Sequence, residues 1–152
     1  MERISEHISY KEATISPTAV RLGISNEPED FHLKRMRTVA EKCFEPTRKW
    51  YGKPITVTSM FRSEELNKAI GGSSKTSQHM QGEAIDFDCG KDNLMVLNWI
   101  IKNLDFDQVI HEYGTDEEPD WIHISFTEQR PNRQQALRVH LDENKKMVWR
   151  NI

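Results

Sequence analysis

The chain has 152 residues and a formal charge of −3 at pH 7, a size that fits one compact domain with a real core. Its basic and acidic residues interleave, which excludes the electrostatic footprint of a nucleic-acid binder or of a protein seated on an anionic membrane. The start at Met1-Glu2-Arg3-Ile4-Ser5 has no basic stretch leading into an apolar one, and no apolar run approaches the roughly 20 residues of a membrane helix, so a soluble chain made in the cytoplasm is expected.

Residues 1–13 are polar, with Ile4, Ile8 and Tyr10 as occasional apolar points, the pattern of an arm or a short edge strand. Residues 16–23 predict one helical turn stopped by Gly23. Asn26-Glu27-Pro28-Glu29-Asp30 then opens a longer helix, because proline in the first turn and acids beside it suit a helix N-terminus. Leu33, Met36, Ala40, Cys43 and Phe44 recur at helical spacing and form its core stripe. Pro46 falls inside that pattern, where it removes a donor and crowds the preceding turn, so a kink or two abutting helices are expected before Gly52.

Residues 55–59 alternate as a half-buried strand. Ser63 caps a short helix that Gly71-Gly72 ends, and residues 71–77 read as a flexible loop of small residues. Residues 83–88 predict a strand with Ala84, Asp86 and Asp88 on a polar face and Ile85 and Phe87 on an apolar one. Leu94, Leu97, Trp99, Ile100, Ile101 and Leu104 mark a second amphipathic helix. Residues 108–111 and 121–126 follow as neighbouring strands across the acidic connection 115–119, and residues 136–141 and 146–149 as a hairpin around an Asp/Asn tip. This order predicts a single α+β domain over residues 1–152, with helices packed on an antiparallel sheet that carries the site. Cys43 and Cys89 lie in separate segments without C-x-x-C spacing and read as ordinary buried thiols.

Chemistry concentrates in residues 77–88, Ser-Gln-His-Met-Gln-Gly-Glu-Ala-Ile-Asp-Phe-Asp, and in residues 120–123, Asp-Trp-Ile-His. A catalytic zinc takes three protein ligands and keeps a fourth position open. His79, Asp86 and His123 suit that set, and Asp120 stands near enough to His123 in sequence to act as a general base. Arg62, at the end of a strand, supplies a cationic fork for a substrate carboxylate. The residues alone leave other readings open. A lone histidine beside a strand is usually a packed or exposed residue. Asp88 can replace Asp86 as a ligand or orient an imidazole, Asp120 can be the end of a solvated acidic loop, and Arg62 can pair with Glu64 or Glu65. Asp86 is less bland, because aspartate is disfavoured in strands. His7, His32, His111 and His140 carry no assigned role, and Trp99, Trp121 and Phe126 read as core.

Ser77-x-His79-x-x-Gly82-x-Ala84-x-Asp86, followed by Asp120-x-x-His123, resembles the zinc D-alanyl-D-alanine carboxypeptidase family. That family shares its fold with the hedgehog signalling domain and with phage endolysins that cut L-alanyl-D-glutamate bonds. Ser59-Met60-Phe61-Arg62-Ser63 is similar to the family's Ser-Gly-Tyr-Arg-Ser segment, with Met60 and Phe61 as departures. The similarity covers about residues 30–126.

The resemblance implies Zn²⁺ held by His79, Asp86 and His123, with Asp120 as the catalytic base. It implies that Arg62 binds or polarises the substrate's carboxylate or carbonyl with help from Ser77. Some members carry a histidine two residues before the catalytic acid, where this chain has Glu118. Glu112 is expected to line the cleft and contact a substrate amine. The expected activity is metal-assisted hydrolysis of peptidoglycan stem peptides, by a monomer without nucleic-acid or membrane partners. Two other readings stay open: a zinc-binding module without hydrolysis, and a structural phage component that recognises the wall. A chain made in the cytoplasm would meet the wall after phage lysis or as part of a virion.

Overall fold

The polar N-terminal arm folds back on itself. In the computed structural model, which describes residues 3–71 and 75–152, Arg3–Ser5 (β1) and Ile8–Ser9 (β2) pair antiparallel and run into a short helix, Tyr10–Thr14 (α1). The Glu12 amide donates to the Ser9 hydroxyl while the Ser9 amide donates to the Glu12 carboxylate, a reciprocal cap for donors that a helix start leaves open. The short strand that the composition allows is therefore present, and Ile4, Ile8 and Ala13 bury the segment in the main core. Pro17–Leu22 (α2) follows, capped by Ser16 and ended by Gly23 at φ +65°, as its proline and glycine predict.

The predicted helical stripe is buried, with Met36, Ala40, Cys43 and Phe44 inaccessible. It is carried by Asp30–Val39 (α3), a π-helical turn at Ala40–Phe44, and Glu45–Tyr51 (α4). Pro46 has no amide to give, and its ring crowds the turn before it. The wider turn accommodates it: the Glu45 amide bonds the Ala40 carbonyl, one residue further back than in an α-helix. This is the form the predicted kink takes.

The remaining helices frame a six-stranded sheet. Thr56–Ser59 (β3) leads to Glu64–Ile70 (α5), which Ser63 caps and Gly71 ends. Of the expected flexible loop, Gly72, Ser73 and Ser74 lie outside the described residues. Ala84–Asp88 (β4) is followed by a 3-10 turn at Gly90–Asp92 and by Asn93–Asn103 (α6), whose Val96, Leu97 and Ile100 are buried. Gln108–Glu112 (β5), Trp121–Ser125 (β6), Gln135–Leu141 (β7) and Met147–Asn151 (β8) complete the sheet in the order β3-β4-β6-β5-β7-β8. Neighbours are antiparallel except β5 and β7, which are parallel. The exception arises because β6 returns between β4 and β5, so the chain re-enters the sheet on the far side of β5 in β5's own direction. The fold is α+β, with an antiparallel-dominated sheet.

Alternation along the strands separates the two faces. Ile85, Phe87, Val109, Ile122 and Ile124 join Met36, Phe44 and Ile100 in one core, where the rings of Phe44 and Phe87 meet edge to face at 6.0 Å. Each such side chain contributes about 1.5–3 kcal/mol on burial. That core fixes the backbone from which Asp86, His123 and Ile110 stand in one row on the opposite face.

Candidate metal centre

The register of β4 on β6 sets Asp86 directly opposite His123. His79 comes from the loop before β4, and its Nδ1 lies 2.6 Å from the Met60 carbonyl oxygen just beyond β3. A carbonyl only accepts, so this contact assigns the ring proton to Nδ1 and leaves Nε2 with a lone pair. Nε2 lies 3.3 Å from Asp86 Oδ2, while His123 Nδ1 lies 2.9 Å from Asp86 Oδ1. The potential ligand atoms of all three residues lie within 4.8 Å of one another. His79 Nε2 is buried with no hydrogen-bond partner, which costs about 1–3 kcal/mol for an unsatisfied polar atom. A cation between the three residues removes that cost. Two imidazoles and one carboxylate beside an open cleft match the donor set of a catalytic zinc site, so these residues fit zinc.

Local structure explains why the loop presents His79. The His79 amide donates to the Ser77 hydroxyl at 3.3 Å. Gly82 adopts φ +76°, and a Cβ there would meet the His32 carbonyl oxygen at 2.8 Å, so the turn into β4 needs glycine for both conformation and space. Arg62 is held from both sides. Its amide bonds the His79 carbonyl at 3.3 Å, and Asn26 grips its neighbours by donating to the Phe61 carbonyl at 3.0 Å and accepting from the Ser63 amide at 2.7 Å. Asn26, expected only as part of a helix start, thereby couples the beginning of the long helical course to the site.

Burial acts against charge throughout the centre. It lowers His79, with Asp86 opposing. For Asp86, burial alone raises the carboxyl, but the His79 ring beside it and the charge and hydrogen bond of His123 prevail and hold it well below the usual range. Burial also lowers His123, yet its hydrogen bond to Asp86 carries it above the ordinary imidazole value. Asp86 is thus an ionised carboxylate between two imidazoles. Burial lifts the Glu112 carboxyl to about 7, with His123 and Arg62 pulling down and Asp86 pushing up.

Arg62, Ser77, His79, Asp86, Glu112 and His123 line one cleft of about 900 Å³. The structure therefore brings together all the expected site residues except Asp120. Asp120 is exposed and does not line the cleft. It precedes β6 in step with Ile122 and Ile124, on the side of the alternation opposite His123, and its amide bonds the Glu112 carbonyl at 3.0 Å. Glu112 is on the site side: it pairs with Trp121, as Ile110 pairs with His123. Trp121, expected in the core, is half-buried and lines the cleft. Gln108, Tyr113, Arg130, Arg133, Met147 and Trp149 line it as well, and none was singled out by sequence. Gln108, Met147 and Trp149 reach it on strands, and Arg130 and Arg133 from the connection between β6 and β7, a convergence that only the folded chain reveals. A second groove of about 890 Å³, walled by Phe31, His32 and Phe61, lies apart from the ligand cluster.

His7 pairs with Glu45 at the surface, and His111 is buried with Nε2 2.8 Å from the Thr115 carbonyl oxygen. Cys43 is buried and Cys89 half-buried, both as free thiols. Among the described residues no helix is long and apolar enough to cross a membrane.

A family model described as Peptidase M15 matches residues 6–125, from the N-terminal hairpin to the last residue of β6. A search among curated proteins finds no match to the chain.

Proposed function

Because the chain belongs to the peptidase M15 family, a family of zinc peptidases, we propose that it hydrolyses peptide bonds in the stem peptides of bacterial peptidoglycan. The bond cut is that of a D-alanyl-D-alanine carboxypeptidase or of an L-alanyl-D-glutamate endopeptidase. The observation that carries this reading is the convergence of His79, Asp86 and His123 within 4.8 Å in the same cleft as Glu112 and Arg62.

His79, Asp86 and His123 would hold the zinc, which when bound supplies a Lewis acid for the scissile carbonyl and lowers the pKa of water towards roughly 7. Glu112 is the general base in this reading, in place of Asp120. It takes a proton from the attacking water and passes it to the leaving amine. A carboxyl raised to about 7 is matched to that double task, because a base is most effective with a pKa near the working pH. Arg62 grips a substrate carboxylate or the scissile carbonyl from the other end of the ligand row. Glu112 lies on the Trp121 side of the row, whereas the chain leaving β3 after Ser59 runs towards the end where Ala84 pairs with Ser125. A carbonyl placed at the row is then flanked by a proton acceptor and a fixed cation, the arrangement that hydrolysis of an amide needs.

Mass spectrometry of purified sacculi after incubation with the zinc-loaded protein tests the reading. Release of stem-peptide fragments with new termini supports it and identifies the bond. Retention on sacculi without fragments would instead support a wall-binding protein that does not hydrolyse.

A further inference from the structure

Beyond the ligand row lies a second charged cluster that the proposed chemistry does not use. Asp107, directly before β5, is fully buried. Its carboxylate accepts from Arg130 Nη1 at 2.8 Å and Nη2 at 2.9 Å, and from Arg133 Nε at 3.1 Å and Nη2 at 2.8 Å. The Arg133 amide adds a bond of 2.9 Å to Oδ1. Both arginine side chains are nearly half exposed, at 44 % and 47 %, and both line the cleft that holds Arg62 and Glu112. One bidentate arginine and the backbone amide would already satisfy the buried carboxylate. The second guanidinium adds a positive charge on the cleft side, with the buried Glu83 carboxylate near enough to Arg130 to act on it.

We propose that Arg130 and Arg133, locked side by side on Asp107, form a second anion site that binds a substrate carboxylate remote from the scissile bond. The site rests on the peptidase reading and narrows its substrate class to acidic peptides. Three features support it. First, the guanidinium groups are immobilised before any ligand arrives, so binding costs little further side-chain entropy. Second, Asp107 occupies Nε and Nη2 of Arg133, which leaves Nη1 outside that contact with donors for a planar carboxylate. Third, the position is right. Gln108 precedes Ile110, the partner of His123, by two residues, a displacement of about 7 Å along the strand. That is about two residues of extended peptide, measured away from Glu112. The Asp107 amide bonds the Ser125 carbonyl at 2.8 Å, which anchors the cluster to the same strand as His123. Arg62 can therefore engage the substrate at the reacting centre while the pair engages a carboxylate about two residues along. In stem peptides the free α-carboxylate of a γ-linked D-glutamate has this chemistry, and its amidation to D-isoglutamine removes the charge without changing the backbone.

The test uses zinc-loaded Glu112→Gln protein, to prevent turnover, and calorimetric binding of two synthetic stem peptides that differ only in a D-isoglutamate or a D-isoglutamine. The acid is expected to bind about tenfold more tightly, the scale of one charge-assisted pair. Arg130→Gln and Arg133→Gln in the same background are each expected to shrink that ratio. Arg130→Gln leaves both the side-chain and the backbone bonds of Arg133 to Asp107 in place, so it serves if Arg133→Gln does not fold. Equal binding of acid and amide, or a preference that survives Arg130→Gln, would overturn the anion site. Hydrolysis of both peptides by the unsubstituted protein at equal kcat/KM would overturn it while leaving the peptidase reading intact. Selective binding of the acid with no hydrolysis of either peptide would sustain the anion site and overturn the peptidase reading.

Discussion

Glu112 stands directly opposite Trp121 in the pairing of β5 with β6, one step along the sheet face from the Ile110–His123 pair. Asp120, the next residue in the chain before Trp121, falls on the opposite side of the alternation and is exposed. Strand geometry thus sets apart the two acids to which the sequence gives different tasks, Asp120 as base and Glu112 as contact for a substrate amine, because a shift of one residue moves a side chain to the other face. The consequences for the site are measurable.

Activity should fall on acidification. A general base acts in its ionised form, so kcat/KM is lost as pH drops through the Glu112 pKa. That value is about 7 without a metal, and the charge of bound zinc favours the ionised form, so the acid limb of the zinc enzyme lies at or below about pH 7. A pH–rate profile at saturating zinc checks this.

Zinc binding should weaken in acid for a related reason, since a ligand imidazole must be neutral. His123 is raised above the ordinary imidazole value, so protons compete at His123 from a higher pH than at an isolated histidine. Titration of the apoprotein with zinc between pH 5 and 8 is expected to show affinity rising with pH. Replacing the ligand itself, His123→Ala, should cost more than the roughly 10–100-fold lost when a residue that only orients a ligand is changed.

Gly82→Ala should destabilise the fold and the metal site together. The φ of +76° disfavours any Cβ, and this one would lie 2.8 Å from the His32 carbonyl oxygen, a backbone atom that cannot swing aside. A loss of about 1–3 kcal/mol is expected for a side chain forced into that region, read as a lowered midpoint in urea. Zinc affinity should drop with it, because Gly82 turns the chain between the ligands His79 and Asp86.

Asp107 should make the protein sensitive to strong acid. Burial alone raises its carboxyl, but the bonds from Arg130 and Arg133 hold it far below the usual range. A depressed carboxylate stabilises the fold above its unfolded pKa, near 3.8, and that contribution is lost as pH falls below it. Asp107→Asn is expected to cost about 1.5–3 kcal/mol, the scale of a hydrogen bond to a charged group. Its unfolding midpoint should also vary less than that of the unsubstituted protein between pH 4 and 2.

Much of this was legible in the sequence, for identifiable reasons. The ligands sit on strong local signals: a glycine turn between His79 and Asp86, and an aspartate on a strand that must otherwise reject it. The helix boundaries at Ser63, Gly23 and Gly52 follow from caps, and the kink follows from Pro46. The step that sets Glu112 beside the ligand row was not legible, because it depends on which strand lies beside β6 and in what register, a relation between residues 112 and 121 that no short spacing encodes. The arginine pair escaped for the same reason: Asp107 and Arg133 meet only after β6 has been inserted between β4 and β5. The burial of the N-terminal segment was not legible, because three apolar contacts, Ile4, Ile8 and Ala13, suffice to bury a segment that is polar on average.

The central claim is that Glu112, and not Asp120, serves the zinc site as its base. The most direct measurement compares kcat/KM and bound zinc for Glu112→Gln and Asp120→Asn on the same stem peptide. Glu112→Gln is expected to lose about 10²–10⁴-fold, the contribution of a positioned acid–base group, while still binding one zinc per chain. Asp120→Asn, at an exposed position, should stay within about threefold of the unsubstituted protein. A zinc-loaded Asp120→Asn that is inactive beside an active Glu112→Gln would contradict the account.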